Sequence, residues 1–265
     1  MLKLNDIECF ILDMDGTIYL SGRVLHGAKE MLALLEERGL PYYFFTNNTS
    51  KSTEMYVDKL HRLGFGDYPP EKIITACDVT ADYVVKTYGK NPKAFVVGTQ
   101  ALRMDFESHG IDCIEEGVPD CLIVGFDTTF NFAKATIAVD LLREGVPFLA
   151  TNVDTVCPLD NGKVLPDCAS MCAMLTHATG AKPKFLGKPF PETSKYIQAF
   201  TGIPLNRTAM IGDRLYTDMR MAKESGMCAI GVLSGEMTKK DIEESSIRPD
   251  YVFNCMMDVY HAMKE

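Results

Sequence analysis

The chain contains 265 residues, of which 46% are hydrophobic, so it is long enough to bury a sizeable core in one large domain or two. Its formal net charge of −9 argues against a nucleic-acid partner, because binding to a phosphate backbone requires a basic surface. No apolar run approaches the roughly 18 residues of a membrane-spanning helix, which argues against a membrane partner. We therefore expect a soluble, cytoplasmic protein.

The nine cysteines are an odd number without any C-x-x-C pair, which favours reduced thiols over a disulfide framework. One zinc site can be imagined, with Cys157, Cys168, Cys172 and His177 as its ligands. The paired short spacings that are typical of structural zinc sites are missing from this group, which argues against zinc. We interpret these cysteines as small buried hydrophobic residues.

Strand-like and helix-like segments alternate along the chain. The predicted strands are Phe10–Leu12, Tyr42–Phe45, Ala94–Val97, Leu122–Val124, Phe148–Ala150, Lys184–Leu186, Thr208–Ile211 and Ala229–Val232. The predicted helices are Ala28–Glu37, Ser52–Leu63, Ala101–Ser108, Ala133–Arg143, Glu192–Phe200 and Thr217–Glu224. Short apolar strands that alternate with helices predict an α/β fold, in which helices cover both faces of a parallel sheet. Ligands of such sheets bind outside the carboxyl ends of the strands, so the residues that follow each strand are candidates for a site.

The first strand runs directly into Asp13-Met14-Asp15-Gly16-Thr17. Residues i and i+2 of an extended chain point to the same side, so Asp13 and Asp15 can share one site. Two carboxylates at that distance repel each other unless a cation or a proton lies between them. Gly16 allows the chain to turn away without a steric penalty. In isolation, the same motif is also compatible with an acidic surface turn.

Three later strand ends carry polar groups that complement these carboxylates. The groups are Thr46, Asn47 and Asn48 after the second strand, Lys188 after the sixth, and Asp213 and Asp218 after the seventh. Each has a simple alternative by itself, such as a helix N-cap or a solvated lysine. As a set, in the order carboxylate pair, hydroxyl and amides, lysine and carboxylate pair, they indicate a phosphoryl-transfer site.

The set contains the groups that phosphoryl transfer needs. Asp13, Asp15 and Asp213 offer hard oxygen ligands that suit Mg²⁺. Thr46, the backbone N–H groups after it and Lys188 are donors for phosphate oxygens. A carboxylate nucleophile can form an aspartyl-phosphate, and a nearby acid can protonate the leaving oxygen. We therefore predict that Asp13 is the nucleophile and that Asp15 is the general acid/base.

The chain resembles the haloacid dehalogenase (HAD) superfamily, and within it the NagD-like, 4-nitrophenylphosphatase-type branch. The matching segments span almost the whole chain: Asp13–Thr17, Thr46–Asn48, Ala150–Asp154, Gly187–Pro189, Gly212-Asp213 with Thr217-Asp218, and Pro249–Phe253. The resemblance implies that Mg²⁺ is bound by the Asp13 side chain, the backbone carbonyl of Asp15 and Asp213. It also implies that Asp218 supports Lys188 or a metal-bound water, and Gly16 and Asn48 are predicted as further supporting residues.

The fold implied by the resemblance is a Rossmann-like HAD core with a parallel sheet, formed by residues 1–78 and 183–265. An inserted α/β cap, residues 79–182, would close over the site and exclude water. The cap should set substrate choice, with Asn152 and Asp154 as predicted substrate contacts; a structural turn is the alternative for this loop. Pyridoxal phosphatases of the branch have a substrate-contacting histidine where this chain has Cys157, which disfavours pyridoxal phosphate.

The predicted function is hydrolysis of small phosphorylated metabolites, such as sugar phosphates or nucleotides, by a Mg²⁺-dependent phosphomonoesterase. The alternatives are a phosphotransferase or phosphomutase that uses the same site, and a non-catalytic protein that binds a phosphorylated ligand. A dinucleotide-dependent oxidoreductase is disfavoured because no G-x-G-x-x-G follows any strand. Caps of this size often contribute to dimer contacts in the family, so a homodimer is compatible with the resemblance.

Overall fold

The computed structural model describes residues 2–159 and 163–265. Its strands are β1 (Cys9–Asp13), β2 (Tyr19–Leu20), β3 (Arg23–Val24), β4 (Tyr42–Thr46), β5 (Ile73–Thr75), β6 (Lys93–Val97), β7 (Asp112–Cys113), β8 (Cys121–Val124), β9 (Phe148–Ala150), β10 (Val156–Pro158), β11 (Val164–Pro166), β12 (Lys184–Phe185), β13 (Thr208–Gly212), β14 (Cys228–Val232) and β15 (Tyr251–Phe253). Its α-helices are α1 (Ala28–Glu37), α2 (Thr53–Arg62), α3 (Ala76–Tyr88), α4 (Gln100–Ser108), α5 (Phe132–Arg143), α6 (Cys168–Thr179), α7 (Pro191–Thr201), α8 (Arg220–Ser225), α9 (Lys239–Glu244) and α10 (Met256–Lys264). None of the helices in these two described ranges combines the length and the hydrophobicity needed to span a membrane.

The chain folds as two compact units. The first consists of Met1–Thr46, Val57–Ile74 and Ser194–Glu265, and the second of Asn47–Tyr56 and Thr75–Thr193. Each unit contains a sheet of parallel strands with helices, so the predicted α/β class is confirmed. The predicted end of the first core segment, at residue 78, falls inside α3. That the inserted segment acts as a cap stays a prediction.

The sheet of the first unit has the strand order β15-β14-β13-β1-β4-β5. β1 lies between β13 and β4 and pairs with both in parallel, with Leu12 opposite Ile211 and Asp13 opposite Phe45. All five residues of β1 are buried, as expected for a strand that is covered on both faces. Because the three strands are parallel, their carboxyl ends lie at one edge of the sheet and carry Asp13, Thr46 and Gly212.

The sheet of the second unit has the order β12-β9-β8-β6-β7, and its pairs are parallel. Alternate residues of a strand point to opposite faces, and each face has its own apolar cluster. Phe95 and Leu122 pack on one face with residues of α5 and α6. Val96 and Ile123 pack on the other face with residues of α3 and α4. This second unit is therefore a complete α/β layer structure with a core of its own.

Several elements were not predicted, and α3 is the longest of them. It contains five β-branched residues, which lower intrinsic helix propensity and obscured the helical pattern. Its start is nevertheless well defined, because Thr75 and Asp78 form a reciprocal capping box. The predicted helix Thr217–Glu224 also differs from the structure, since it begins as a π-helix over Leu215–Met219 and continues as α8.

The cysteines considered as zinc ligands lie in or against one apolar cluster but differ in burial. Cys168 and Cys172 are buried in the core of the second unit, as predicted for small hydrophobic residues. Cys157 is only partly buried, so the same prediction is wrong for this residue. It belongs to the hairpin strand β10, which pairs only with β11 in the described part of the chain and therefore leaves it closer to solvent.

Candidate active site

Three buried aspartates form a compact acidic cluster in the first unit. Asp13 ends β1, Asp213 follows β13, and Asp218 lies in the π-helix that comes next. One ligand oxygen from each of these carboxylates lies within 4.8 Å of the other two. Parallel pairing of β1 and β13 explains the first two positions, because neighbouring parallel strands deliver the residues at their ends to the same edge.

Local packing places Asp218 in this cluster. The backbone N–H of Arg214 donates a hydrogen bond of 3.1 Å to Asp218 Oδ2, which ties the side chain back to the end of β13. A Cβ atom at Gly212 would lie 2.4 Å from Asp218 Cγ, so only glycine leaves enough room for this carboxylate. Asp218 was predicted as a supporting residue, and it lies beside Asp13 and Asp213.

The acidic cluster is electrostatically suited to a cation. Burial raises the pKa of Asp213 well above its ordinary value, and the charges of Asp13 and Asp218 raise it further. Asp213 Oδ1 is buried and has no hydrogen-bond partner among the described residues. A divalent cation would relieve the repulsion between these groups, and carboxylate oxygens are the donors that Mg²⁺ prefers. The donor set therefore fits a hard divalent metal ion.

A loop after β14, residues 234–237, encloses Asp213 and was not predicted as part of the site. The backbone N–H of Glu236 donates to Asp213 Oδ2 at 2.7 Å, and that of Met237 donates to the Asp213 carbonyl at 2.8 Å. The Ser234 hydroxyl donates to the Gly16 carbonyl at 2.8 Å, which ties the loop to the motif after β1. The available signal was the position of Ser234-Gly235 just after a strand of the same sheet.

Two glycines leave the space that the Asp213 carboxylate occupies. A Cβ atom would lie 2.3 Å from Asp213 Oδ2 if built at Gly16 and 1.9 Å from it if built at Gly235. Gly16 also has a φ of +94°, which residues with a side chain rarely adopt. Gly16 was predicted to allow a turn, and the structure gives it this second steric role.

The carboxylate of Asp15 has partners that differ from those of the acidic cluster. The Tyr19 hydroxyl donates to Asp15 Oδ2 at 3.4 Å, and Lys59 Nζ lies 3.4 Å from Asp15 Oδ1. The Lys59 ammonium group also lies 3.6 Å from the centre of the Tyr19 ring, which gives a cation–π contact. Neither Tyr19 nor Lys59 was predicted, because a single sequence does not show which side chains of β2 and α2 face Asp15.

The predicted phosphate-binding residues are divided between the two units. Thr46 ends β4 next to β1 in the first unit and is buried. Asn47 and Lys188 belong to the second unit, and the peptide bond between Lys188 and Pro189 is cis. Asn48 is partly buried, and its Oδ1 accepts hydrogen bonds from the backbone N–H and the hydroxyl of Ser50. That pattern is an Asx-type turn, and the supporting role of Asn48 stays a prediction.

Asn152 and Asp154, the predicted substrate contacts, are 0% and 1% exposed. Asp154 Oδ2 accepts hydrogen bonds from Asn152 Nδ2 at 3.0 Å and from Asn47 Nδ2 at 2.9 Å. Asn152 Nδ2 also lies 3.3 Å from Asp167 Oδ1, and Asp167 caps the N-terminus of α6. These hydrogen bonds to neighbouring side chains favour the alternative of a structural turn over direct contact with a substrate.

Comparison with known proteins identifies the family. The family model described as haloacid dehalogenase-like hydrolase matches residues 10–112, and a second model, of HAD-like hydrolases, matches residues 185–259. The crystal structure of a 4-nitrophenylphosphatase from Thermotoga maritima has 39% sequence identity to this chain, a TM-score of 0.93 and 98% of both chains covered. The chain belongs to the haloacid dehalogenase superfamily.

Further relatives narrow the HAD assignment to phosphatases. An acid sugar phosphatase from Staphylococcus aureus is 28% identical over 250 residues, which is 94% of this chain and 95% of the relative. A glycerol phosphate phosphatase from Mycobacterium tuberculosis, crystallised with magnesium, is 27% identical with a TM-score of 0.89, covering 98% of this chain and 77% of that one. The chain is thus a NagD-like HAD phosphatase, and the predicted family and enzyme class are confirmed.

Proposed function

We propose that this HAD phosphatase is a Mg²⁺-dependent phosphomonoesterase that hydrolyses small phosphorylated metabolites through an aspartyl-phosphate on Asp13. The observation that carries the proposal is the buried cluster of Asp13, Asp213 and Asp218 at the carboxyl edge of a parallel sheet. Three carboxylates at such a distance can hold a cation, and the chain is a NagD-like HAD phosphatase. A phosphoryl group and a metal ion would meet at this edge.

In the proposed reaction, a carboxylate oxygen of Asp13 attacks the phosphorus atom and the bond from phosphorus to the ester oxygen breaks. Asp15 donates a proton to that oxygen, so the alcohol leaves as a neutral product. A water molecule then attacks the phosphorus atom and gives a proton to Asp15, and the bond between phosphorus and Asp13 breaks. Thr17 Oγ1 lies 3.4 Å from Asp13 Oδ2 and helps to orient the nucleophile.

Mg²⁺ would be held by Asp13, Asp213 and the backbone carbonyl of Asp15, with Asp218 as the adjacent carboxylate. When bound, it supplies positive charge that offsets the repulsion between the attacking carboxylate and the phosphoryl group. Support comes from the donor chemistry of the acidic cluster and from the magnesium in the related glycerol phosphate phosphatase. The Asp15 carboxylate, which contacts Tyr19 and Lys59, is the proposed acid and base, and only the backbone carbonyl of this residue is a proposed metal ligand.

The proposed donors for phosphate oxygens are Thr46, the backbone of Asn47 and Lys188; Thr46 ends β4 and Asn47 follows it. We further propose that residues 79–182 form the cap that determines which organic group is accepted. Sugar phosphates and glycerol phosphate are the first candidates, because two relatives are named for activity on such compounds.

The proposal is tested by assaying the purified chain with 4-nitrophenyl phosphate and a panel of sugar, polyol, nucleotide and cofactor phosphates, with and without Mg²⁺. Asp13→Asn should lower kcat at least about 10³-fold on every substrate, because the nucleophile is lost. The exposed Asp6 provides a matched control, and Asp6→Asn should retain full activity. Full activity of Asp13→Asn would refute its role as nucleophile.

Asp15→Asn separates the roles of the two aspartates. With 4-nitrophenyl phosphate the leaving group needs little protonation, so this variant should still form the phosphoenzyme, which intact-protein mass spectrometry can detect. With alkyl phosphates, phosphoenzyme formation should fail. Transfer of the phosphoryl group to an added acceptor without release of inorganic phosphate would instead favour a phosphotransferase, and binding without turnover would favour a non-catalytic protein.

A further inference from the structure

The backbone at Lys188 is held by the side chain of Asn47. Asn47 Oδ1 accepts a hydrogen bond of 2.9 Å from the Lys188 N–H, and Asn47 Nδ2 donates one of 3.0 Å to the Lys188 carbonyl. One amide group therefore binds both polar backbone atoms of the lysine, as a neighbouring strand would. Asn47 is 7% exposed and Lys188 is 2% exposed, so water has little access to replace these bonds.

Asp154 fixes the orientation of this amide group. Asn47 Nδ2 uses one of its two hydrogens for the Lys188 carbonyl, and it donates to Asp154 Oδ2 at 2.9 Å. The same oxygen accepts from Asn152 Nδ2 at 3.0 Å. With both donors directed towards acceptors, the Asn47 amide cannot flip without leaving its oxygen opposite a carboxylate. The carboxylate thus selects the one orientation that can bind Lys188.

Main-chain packing adds to the constraint. The N–H of Gly187 donates to the Thr151 carbonyl at 2.8 Å, so the segment before Lys188 is attached to the loop that contains Asp154. A Cβ atom at Gly187 would lie 2.5 Å from the Thr151 carbonyl oxygen and 2.7 Å from Asn47 Oδ1. Asn47, the loop that contains Thr151 and Asp154, and the Gly187-Lys188 segment are in such close contact that a shift in one is transmitted to the others.

We propose that Asp154 is a positioning residue for Lys188, acting through Asn47, and not a reader of the substrate's organic group. The inference rests on the proposed function in one respect, the assignment of Lys188 to the phosphate group. Loss of the Asp154 carboxylate should allow the Lys188 segment to move, and phosphate binding should weaken for every substrate alike. A residue that reads the organic group would instead change the ranking of substrates.

The first test uses Asp154→Ala with inorganic phosphate as the probe. Titration calorimetry of the Mg²⁺-loaded chain should show about tenfold weaker phosphate binding, the change expected when about one hydrogen bond of positioning is lost. The kcat/KM values for aryl, sugar and polyol phosphates should fall by one common factor. Unchanged phosphate binding, or a loss of kcat/KM confined to some substrates, would overturn the proposal.

A double-mutant cycle tests the route through Asn47. Asn47→Ala keeps the backbone N–H but removes the amide, so it should weaken phosphate binding at least as much as Asp154→Ala. In the Asn47→Ala background, Asp154→Ala should have little further effect, because the connection to Lys188 is already absent. Independent effects that multiply in the double variant would overturn the proposed route.

A buried carboxylate elsewhere in the second unit controls for general destabilisation. Asp127 is 2% exposed, pairs with Lys134 at 2.6 Å and accepts hydrogen bonds from the backbone N–H and the hydroxyl of Thr129. Asp127→Ala should lower the melting temperature but leave phosphate binding of the folded chain within about twofold. If it weakens binding as Asp154→Ala does, a specific positioning role is refuted.

The calorimetric readout needs no turnover, so it separates this inference from the proposed function. Absence of hydrolysis in the wild-type chain would refute the phosphomonoesterase, while the phosphate-binding comparison between variants would still decide the role of Asp154. Conversely, normal hydrolysis that depends on Asp13, together with a substrate-selective effect of Asp154→Ala, would refute the positioning role alone.

Discussion

Replacing Gly235 with alanine should disable the acidic cluster while the fold persists. The new Cβ atom would lie 1.9 Å from Asp213 Oδ2, about 1.5 Å short of the 3.4 Å at which ordinary contact begins. The carboxylate cannot simply rotate away, because its Oδ2 also accepts the Glu236 N–H at 2.7 Å. Either Asp213 or the loop at residues 234–237 must move by more than an ångström.

The size of the effect follows from that displacement. A misplacement of about 1 Å in a catalytic group typically lowers the rate about 100-fold, which corresponds to about 2.7 kcal/mol of lost transition-state stabilisation. We therefore expect Gly235→Ala to lower kcat/KM for 4-nitrophenyl phosphate about 100-fold. The Mg²⁺ concentration needed for half-maximal activity should rise as well, because Asp213 is a proposed ligand.

The assay is a Mg²⁺ titration of activity, with circular dichroism to confirm the fold. Gly22→Ala is the matched control, since nothing lies within 4 Å of a Cβ atom at Gly22, and it should behave as wild type. If Gly235→Ala shows wild-type kcat/KM and Mg²⁺ dependence, the claim that Gly235 leaves necessary space for Asp213 is wrong.

Two further variants test other contacts. Lys59→Met keeps the aliphatic part of the side chain on the Tyr19 ring but removes the ion pair to Asp15. It should slow the hydrolysis of alkyl phosphates about tenfold more than that of aryl phosphates, because an alkyl leaving group depends more on protonation by Asp15. Equal effects on both substrates would refute an action of Lys59 through Asp15. His109 Nε2 lies 3.0 Å from Asp78 Oδ1, and this hydrogen bond is the main reason that the pKa of His109 is raised from 6.5 to about 9. The stabilising contribution of the pair is therefore complete below pH 6.5 and is lost as the pH rises through 9. His109→Ala should lower the free energy of unfolding by about 1 kcal/mol at pH 6, after allowance for the partial exposure of the side chain, and by little at pH 10; equal losses in urea titrations at both pH values would contradict this.

The fold class and the chemical groups of the site could be predicted from local sequence patterns. Short apolar runs between helical segments indicate buried parallel strands, because only a sheet covered on both faces accommodates them. Polar residues directly after such runs lie at the carboxyl edge of the sheet whatever the order of the strands. Asp13, Thr46 and Asp213 were identified in this way, and the structure places them at the ends of three adjacent strands.

The partners of each side chain were decided only by the tertiary structure. Lys59 meets Asp15 across 44 positions of sequence, and Asn47 meets Asp154 across 107. Such pairs depend on which faces of distant elements pack together, and no local periodicity encodes that choice. The sequence by itself determined the candidates for the chemistry, because residue types and their positions after apolar strands are local features. Tertiary packing determined that Asp218 lies beside Asp13 and Asp213 and that the Asp154 side chain is buried against Asn47. Both positions depend on contacts between residues that are far apart in the sequence.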